Sequence, residues 1–165
     1  MHLSFSTTAT PIGTALGVRS DRGLRTLDFV TDDAIDAVTV LSGDRTPIVR
    51  DDAALADVFT QLDEYFAGER RAFDLPLDLT GIEGFVRATL ETILEIPYGE
   101  TASYGEVAVL AGRPRAARAV GTTCARTPIS VVIPVHRVVR ADGSIGEYGG
   151  RPEAKRFLLD LEAAA

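Results

Sequence analysis

The chain is poor in the residues that build covalent or metal-bound sites. Its 165 residues include one cysteine, Cys124, and two histidines, His2 and His136. A single cysteine closes no internal disulfide, and so little cysteine and histidine is too thin for a zinc site. Neither a metal nor any other cofactor is therefore expected. No apolar run approaches the roughly 18–20 residues that span a bilayer. The start, Met1-His2-Leu3-Ser4-Phe5, lacks the basic-then-apolar pattern of a leader. These absences predict a soluble, cytoplasmic protein, with His2 in a frayed terminus. Lysine is also nearly missing, one against 16 arginines.

The charge that is present is unevenly spread. The net charge of −7 argues on its own against a polyanionic partner. Residues 1–80 hold 7 basic and 14 acidic side chains, whereas residues 81–165 hold 10 of each. No carboxylate occurs between Glu106 and Asp142, an interval that carries Arg113, Arg115, Arg118, Arg126, Arg137 and Arg140. A locally basic face of this kind suits phosphate contacts. A chance cluster of solvated arginines is the plainer alternative.

Along the chain, residues 10–13 read as a turn and residues 15–18 as a short strand. Ser20-Asp21-Arg22-Gly23 is a hairpin-type turn leading to a second strand marked by Leu24, Leu27 and Phe29. Residues 32–40 are ambiguous between helix and strand, and 42–47 carry loop signals. From Asp51 the period becomes helical, with Leu55, Val58, Phe59, Leu62, Tyr65 and Phe66 at spacings of three and four, Asp51 or Asp52 as cap, and Gly68 as stop. Residues 73–79 alternate but contain Pro76, which predicts an extended linker or edge strand. A boundary near Thr80-Gly81 divides the chain into 1–79 and 80–165. A helix over 82–95 follows, with Phe85, Leu90, Ile93 and Leu94 on its core side.

Ser103 and Glu106 form a capping-box pattern for a short helix that stops at Gly112. Pro114 suits the first position of a second helix carrying Arg115 and Arg118. Two short helices joined by a glycine-containing turn fit a helix-turn-helix, and equally an ordinary αα-hairpin. Beyond them, the apolar residues 129–133 read as a strand that ends at Pro134 and presents His136 and Arg137 to a pocket wall.

Seven segments then stand in a telling order: Pro97-Tyr98-Gly99-Glu100-Thr101, Ser103-Tyr104-Gly105-Glu106, Arg118-Ala119-Val120-Gly121, Pro134-Val135-His136-Arg137-Val138-Val139, Gly143-Ser144-Ile145-Gly146, Tyr148-Gly149-Gly150 and Lys155-Arg156-Phe157-Leu158-Leu159. Together they resemble the O6-alkylguanine-DNA alkyltransferase family, strongly over residues 80–162 and more weakly before them. The resemblance implies an α+β protein. An N-terminal ribonuclease-H-like β-sheet subdomain precedes a C-terminal helical subdomain with a winged-helix-like helix-turn-helix. It implies double-stranded DNA containing O6-alkylguanine as the partner, bound by a monomer that turns the damaged base out of the stack. By motif match, Arg118 fills the gap and Tyr104 assists rotation. The base sits between the 134–139 segment and Tyr148-Gly149, and Arg115, Arg137 and Val138 join the DNA- or base-binding set.

In that family the residue between proline and histidine is a cysteine that accepts the alkyl group. The histidine takes up its proton and a late glutamate orients the histidine. His136 and Glu162 occupy the latter two positions, and Val135 occupies the first. Valine has no lone pair and no ionisable proton, so transfer there is excluded. The alkyltransferase-like branch of the family, which binds lesions without transfer and flags them for repair partners, usually has tryptophan or alanine at this position. Further departures are Thr127, where an asparagine commonly braces the turn, and Glu147, a negative charge on the DNA-facing loop. Cys124 reads as a small buried hydrophobe, with a reactive acceptor role as the alternative. His136 and Glu162 also fit a purely structural pair, Tyr148 fits loop packing, and Lys155 and Arg156 fit a solvated face of a final helix over 157–161. Three functions follow: lesion recognition without transfer; an alkyltransferase whose cysteine has been replaced; or a helix-turn-helix regulator that retains only the scaffold.

Overall fold

The computed structural model describes residues 2–31, 47–146 and 148–165. The readings of residues 32–46 and of Glu147 lie outside these. The chain divides into two compact units, Met1–Asp78 and Leu79–Ala165. No helix among the described residues is long and apolar enough to cross a membrane.

The first unit is a four-stranded sheet in the order β3-β2-β1-β4, made from β1 (Leu3–Thr10), β2 (Gly13–Ser20), β3 (Gly23–Val30) and β4 (Ile48–Arg50). Two tight hairpins, closed at Thr10–Gly13 and Ser20–Gly23, join the first three strands, and β4 lies parallel to β1. The N-terminus is therefore not frayed from Leu3 onward, because β1 is an inner strand with a neighbour on each side. Its signal is masked by buried serines: Ser6 donates to Asp52 over 2.6 Å. At the start of β3, on the edge away from β2, the Leu24 N–H donates to the Pro76 carbonyl and the Asp78 N–H to the Leu24 carbonyl, both 2.8 Å. Gly23, at φ 140°, is required there, since a Cβ would collide with the Pro76 carbonyl.

Helix α1 (Ala56–Phe66) follows a single turn at Ala53–Leu55 that the Asp51 carboxylate caps through the Ala54 N–H. It buries Val58, Leu62 and Tyr65, an apolar stripe expected from its period.

The second unit is helical. Helix α2 (Gly84–Leu94) buries Thr89, Leu90 and Ile93, while Leu94 turns outward at 37% exposure rather than joining the core. Helix α3 (Tyr104–Leu110) is capped by the Ser103 hydroxyl, which accepts from the Glu106 N–H at 3.0 Å. Helix α4 (Ala117–Ala125) packs on α3. It begins later than Pro114 suggests, because Arg113 to Ala116 form a separate turn closed by the Ala116 N–H on the Arg113 carbonyl. Two-residue strands β5 (Ala102–Ser103) and β6 (Val138–Val139) pair in parallel. Helix α5 (Pro152–Ala163) starts well before residue 157, with Pro152 in its first turn.

Candidate functional site

The stretch 129–133 is not a strand. Val131 sits at φ 69°, an outlier for a β-branched residue, and the Val132 N–H donates to the Ser130 carbonyl at 2.8 Å. A second three-residue turn follows at Pro134 (φ −81°, ψ 62°), where the Val135 N–H reaches the Ile133 carbonyl at 2.8 Å. One turn of tight helix, Val135–Arg137, then leads into β6. Apolar composition mimics a buried strand here. The reversals instead fold the segment on itself and point Val135 (1% exposed) and His136 (0%) inward.

Glu162, on the last turn of α5, is the hub of the buried charge. His136 Nε2 lies 2.7 Å from Glu162 Oε2, Arg137 Nε and Nη2 donate to its two oxygens at 2.8 and 3.0 Å, and the Gly99 N–H adds a contact at 3.2 Å. Arg137 Nη1 also donates to the Ile96 carbonyl at 2.7 Å. Arg137 is thus an internal brace rather than a DNA contact. Its fork is fully engaged, and leaving it buried without a carboxylate would be costly. Burial pushes the His136 pKa below its ordinary value, against the opposing pull of Glu162. The neutral ring must place its proton on Nε2, because a carboxylate paired with Arg137 only accepts. Nδ1 is then a bare, basic lone pair, buried with no hydrogen-bond partner among the described residues.

A pocket of about 730 Å³ opens in this unit, lined by Tyr104, Arg118, Gly121, Arg140, Gly146 and Gly149 among others. Tyr104, Arg118 and Gly149 of the sequence-derived set all line it. Arg115 is exposed outside the lining, Tyr148 is half-buried beside it, and Val135, His136 and Glu162 lie in the packed interior. Gly146, at φ 70°, lies against Tyr104, and a Cβ there would meet the phenol oxygen at 2.8 Å. A side chain at 146 would push Tyr104 out of place.

Lys155 is not on a solvated face. It is 0% exposed, and its Nζ donates to the Val138 carbonyl at 2.6 Å and stands 3.5 Å from the Tyr104 hydroxyl. Burial pushes its pKa down to about 8. The lysine links the turn segment to the tyrosine of the pocket. A signal existed in the sequence: Lys155, Leu158 and Glu162 share one face at helical spacing. Arg156 is exposed and lies 3.9 Å from Asp160, so its solvated reading holds. Arg140, unassigned from sequence, lines the pocket. Cys124 is 9% exposed and burial pushes its thiol up to about 12. Thr127 presents a buried hydroxyl with no hydrogen-bond partner among the described residues, so it supplies no brace there.

Residues 3–79 match the ribonuclease-like domain of 6-O-methylguanine DNA methyltransferase, and residues 84–164 match the DNA binding domain of the same protein. This chain belongs to the O6-methylguanine-DNA methyltransferase family. A methylated-DNA–protein-cysteine methyltransferase of Mycobacterium leprae is 48% identical over 112 residues, covering 68% of this chain and 67% of that protein. The Methanosarcina barkeri protein of the same name is 38% identical over 152 residues, 92% of each chain. Among solved structures, the Mycobacterium tuberculosis protein in complex with DNA superposes with a TM-score of 0.84 at 38% identity, covering 99% of this chain and 94% of that one. The α+β architecture, a sheet subdomain followed by a helical one, is that of the methyltransferase family. The chain is accordingly a DNA-binding protein of the alkyltransferase family.

Proposed function

We propose that the chain binds duplex DNA containing O6-alkylguanine, turns the base into the pocket of Tyr104, Arg118 and Gly149, and transfers no alkyl group at Val135. One observation carries this reading. Val135 stands buried beside a complete His136–Glu162 pair, at the position where the family's motif has the acceptor cysteine. A valine side chain cannot attack carbon, whatever base lies next to it. The one thiol in the chain, Cys124, is buried, and burial pushes its pKa up to about 12, which disfavours the thiolate that would attack.

The recognition parts do not depend on a thiol. Helices α3 and α4 serve as the helix-turn-helix of a DNA-binding part over residues 80–165, with residues 1–79 as the ribonuclease-H-like part. Arg118 occupies the space vacated by the base, and the Gly149 N–H meets O6. The Val138 carbonyl holds Lys155 on one lone pair and keeps the other for the guanine amino group. The protein acts as a monomer, and a repair-machinery partner would act on the lesion it flags.

The test measures affinity and intact mass together on O6-methylguanine duplex and on its unmodified twin. Tighter binding of the lesion by at least about tenfold, ~1.4 kcal/mol, with no mass gain on the protein, is expected. Arg118→Ala or Tyr104→Ala should erase that preference. Equal affinities for the two duplexes refute lesion recognition and point to the scaffold-only regulator.

A second reading has its own support. The curated relatives are named as transferases and the His136–Glu162 pair is intact, as in an alkyltransferase whose acceptor has been replaced.

A further inference from the structure

The helical unit has a second hollow, a groove of about 310 Å³ between α2 and the end of α4. It is lined by Ile82, Val86, Leu90, Thr122, Arg126 and Thr127 among others. Thr122 also lines the 730 Å³ pocket, so the groove opens on an adjoining face of the same helix. Its wall is an apolar stripe at four-residue spacing, from half-buried Ile82 through Val86, 45% exposed, to Leu90, 1% exposed. A valine standing in water above a buried leucine is surface that another apolar side chain would cover.

Two polar groups at the same groove are unmatched. The Arg126 guanidinium makes no hydrogen bond or ion pair with a described residue. The Thr127 hydroxyl is buried with no hydrogen-bond partner among the described residues, which costs stability until a partner arrives. Glu83 and Glu91 flank the stripe in sequence, but neither lines the groove, and Glu91 is held by Arg87 at 2.7 Å. A DNA backbone offers phosphate to Arg126 and nothing to cover Val86, whereas a protein segment offers both a carboxylate and an apolar side chain. We propose that the groove docks a short segment of a partner protein, in which a leucine, isoleucine or phenylalanine covers Val86 and Leu90 while a neighbouring aspartate or glutamate pairs with Arg126. The lesion-recognition reading gives this surface its purpose, because the partner would then sit one helix away from the flagged base. The planar fork of Arg126 suits a carboxylate in two-point contact, and the Thr127 hydroxyl can serve the segment's backbone as donor or acceptor. The groove is at the lower end of small-molecule pockets, a size that fits an anchoring side chain.

The experiment selects displayed random dodecapeptides against the full chain, then measures the best peptide and O6-methylguanine duplex on the same set of variants. Peptides that place Leu, Ile or Phe within two positions of Asp or Glu should be enriched. Replacing the acid of the best peptide by its amide should weaken binding roughly tenfold, in line with one charge-assisted contact. Arg126→Gln should erase that difference, and Arg126→Glu should turn the selection toward Lys and Arg. Val86→Asp should abolish peptide binding and leave the affinity for the lesion duplex unchanged. No enrichment, or peptides indifferent to Val86→Asp, overturns the docking site while a preference for the lesion duplex leaves recognition standing. Peptide binding at the groove without any lesion preference keeps the docking site and refutes the recognition reading. An Arg126→Gln variant that leaves the peptide untouched and weakens lesion and unmodified duplexes in parallel, with a shallower salt dependence, makes Arg126 a phosphate contact and overturns its assignment.

Discussion

His136 Nε2 and Glu162 Oε2 lie 2.7 Å apart across 26 residues of sequence, both side chains withdrawn from water. The contact fixes the imidazole as a neutral donor toward the carboxylate and leaves its other nitrogen, Nδ1, buried with no hydrogen-bond partner among the described residues. Because burial lowers the His136 pKa, the folded state takes up this proton less readily than the unfolded chain does. Stability is therefore complete above the unfolded value near 6.5 and declines as pH falls toward the folded one. His136→Asn should flatten that part of a urea-unfolding pH series, and an unchanged slope would assign the acid sensitivity elsewhere.

Removing the carboxylate has a larger effect. Glu162→Gln leaves the buried Arg137 guanidinium without its counter-ion, a loss of about 3–5 kcal/mol. Chemical denaturation should show it as a lower midpoint with an unchanged slope. A change below about 1 kcal/mol would mean that water reaches the pair.

Lys155 and Cys124 make opposed contributions at alkaline pH. The lysine's pKa falls from 10.5 to about 8 in the folded state, so stability rises as pH climbs from about 8 toward 10.5. The thiol's rises from 9.0 to about 12, so stability falls once pH exceeds 9. Lys155→Met should abolish the rise and Cys124→Ala the fall, each read from unfolding midpoints across the range. Wild-type stability that only declines above pH 8 contradicts the lysine assignment.

Val135→Cys separates the two functional readings. If the acceptor position alone has been lost, the variant should gain one methyl per molecule from O6-methylguanine duplex, seen by intact mass. A variant that binds the lesion yet stays unmodified indicates a site shaped for recognition, with Thr127 failing to brace the turn. Cys124 should carry no adduct in either protein.

Val131 bears strain that its neighbours do not. Val131 and Val138 are equally buried, but only Val131 has a left-handed backbone. Val131→Gly should cost less than Val138→Gly by about 1–2 kcal/mol, the relief of an unfavourable φ. Equal losses would show that the turn is not strained.

Much of the fold was legible because the physics is local. The hairpin at residues 20–23, the stripe of α1 and the Ser103 cap each rest on neighbours within four positions. What failed was non-local. Strand β1 hid behind serines whose partner, Asp52, lies 46 residues away. The run 129–133 looked like a strand because composition does not disclose a reversed φ at valine. In sequence, Arg137 and Lys155 look solvent- or DNA-facing because charge normally is. Their burial depends on Glu162 and on the Val138 carbonyl, which only the folded chain brings within reach. The order of motifs identified the family and drew Tyr104, Arg118 and Gly149 to one pocket. Arg140 has no such signature.

The hydrogen bonds to Glu162 have a consequence for how such chains are sorted. The carboxylate ties α5 to the segment at Gly99 and to Arg137 while it holds His136. A lineage that abandoned alkyl transfer would keep glutamate, arginine and histidine simply to keep its C-terminal helix attached. Survival of the histidine–glutamate pair is thus compatible with architecture as well as with activity, and the residue beside the histidine has to be read together with it.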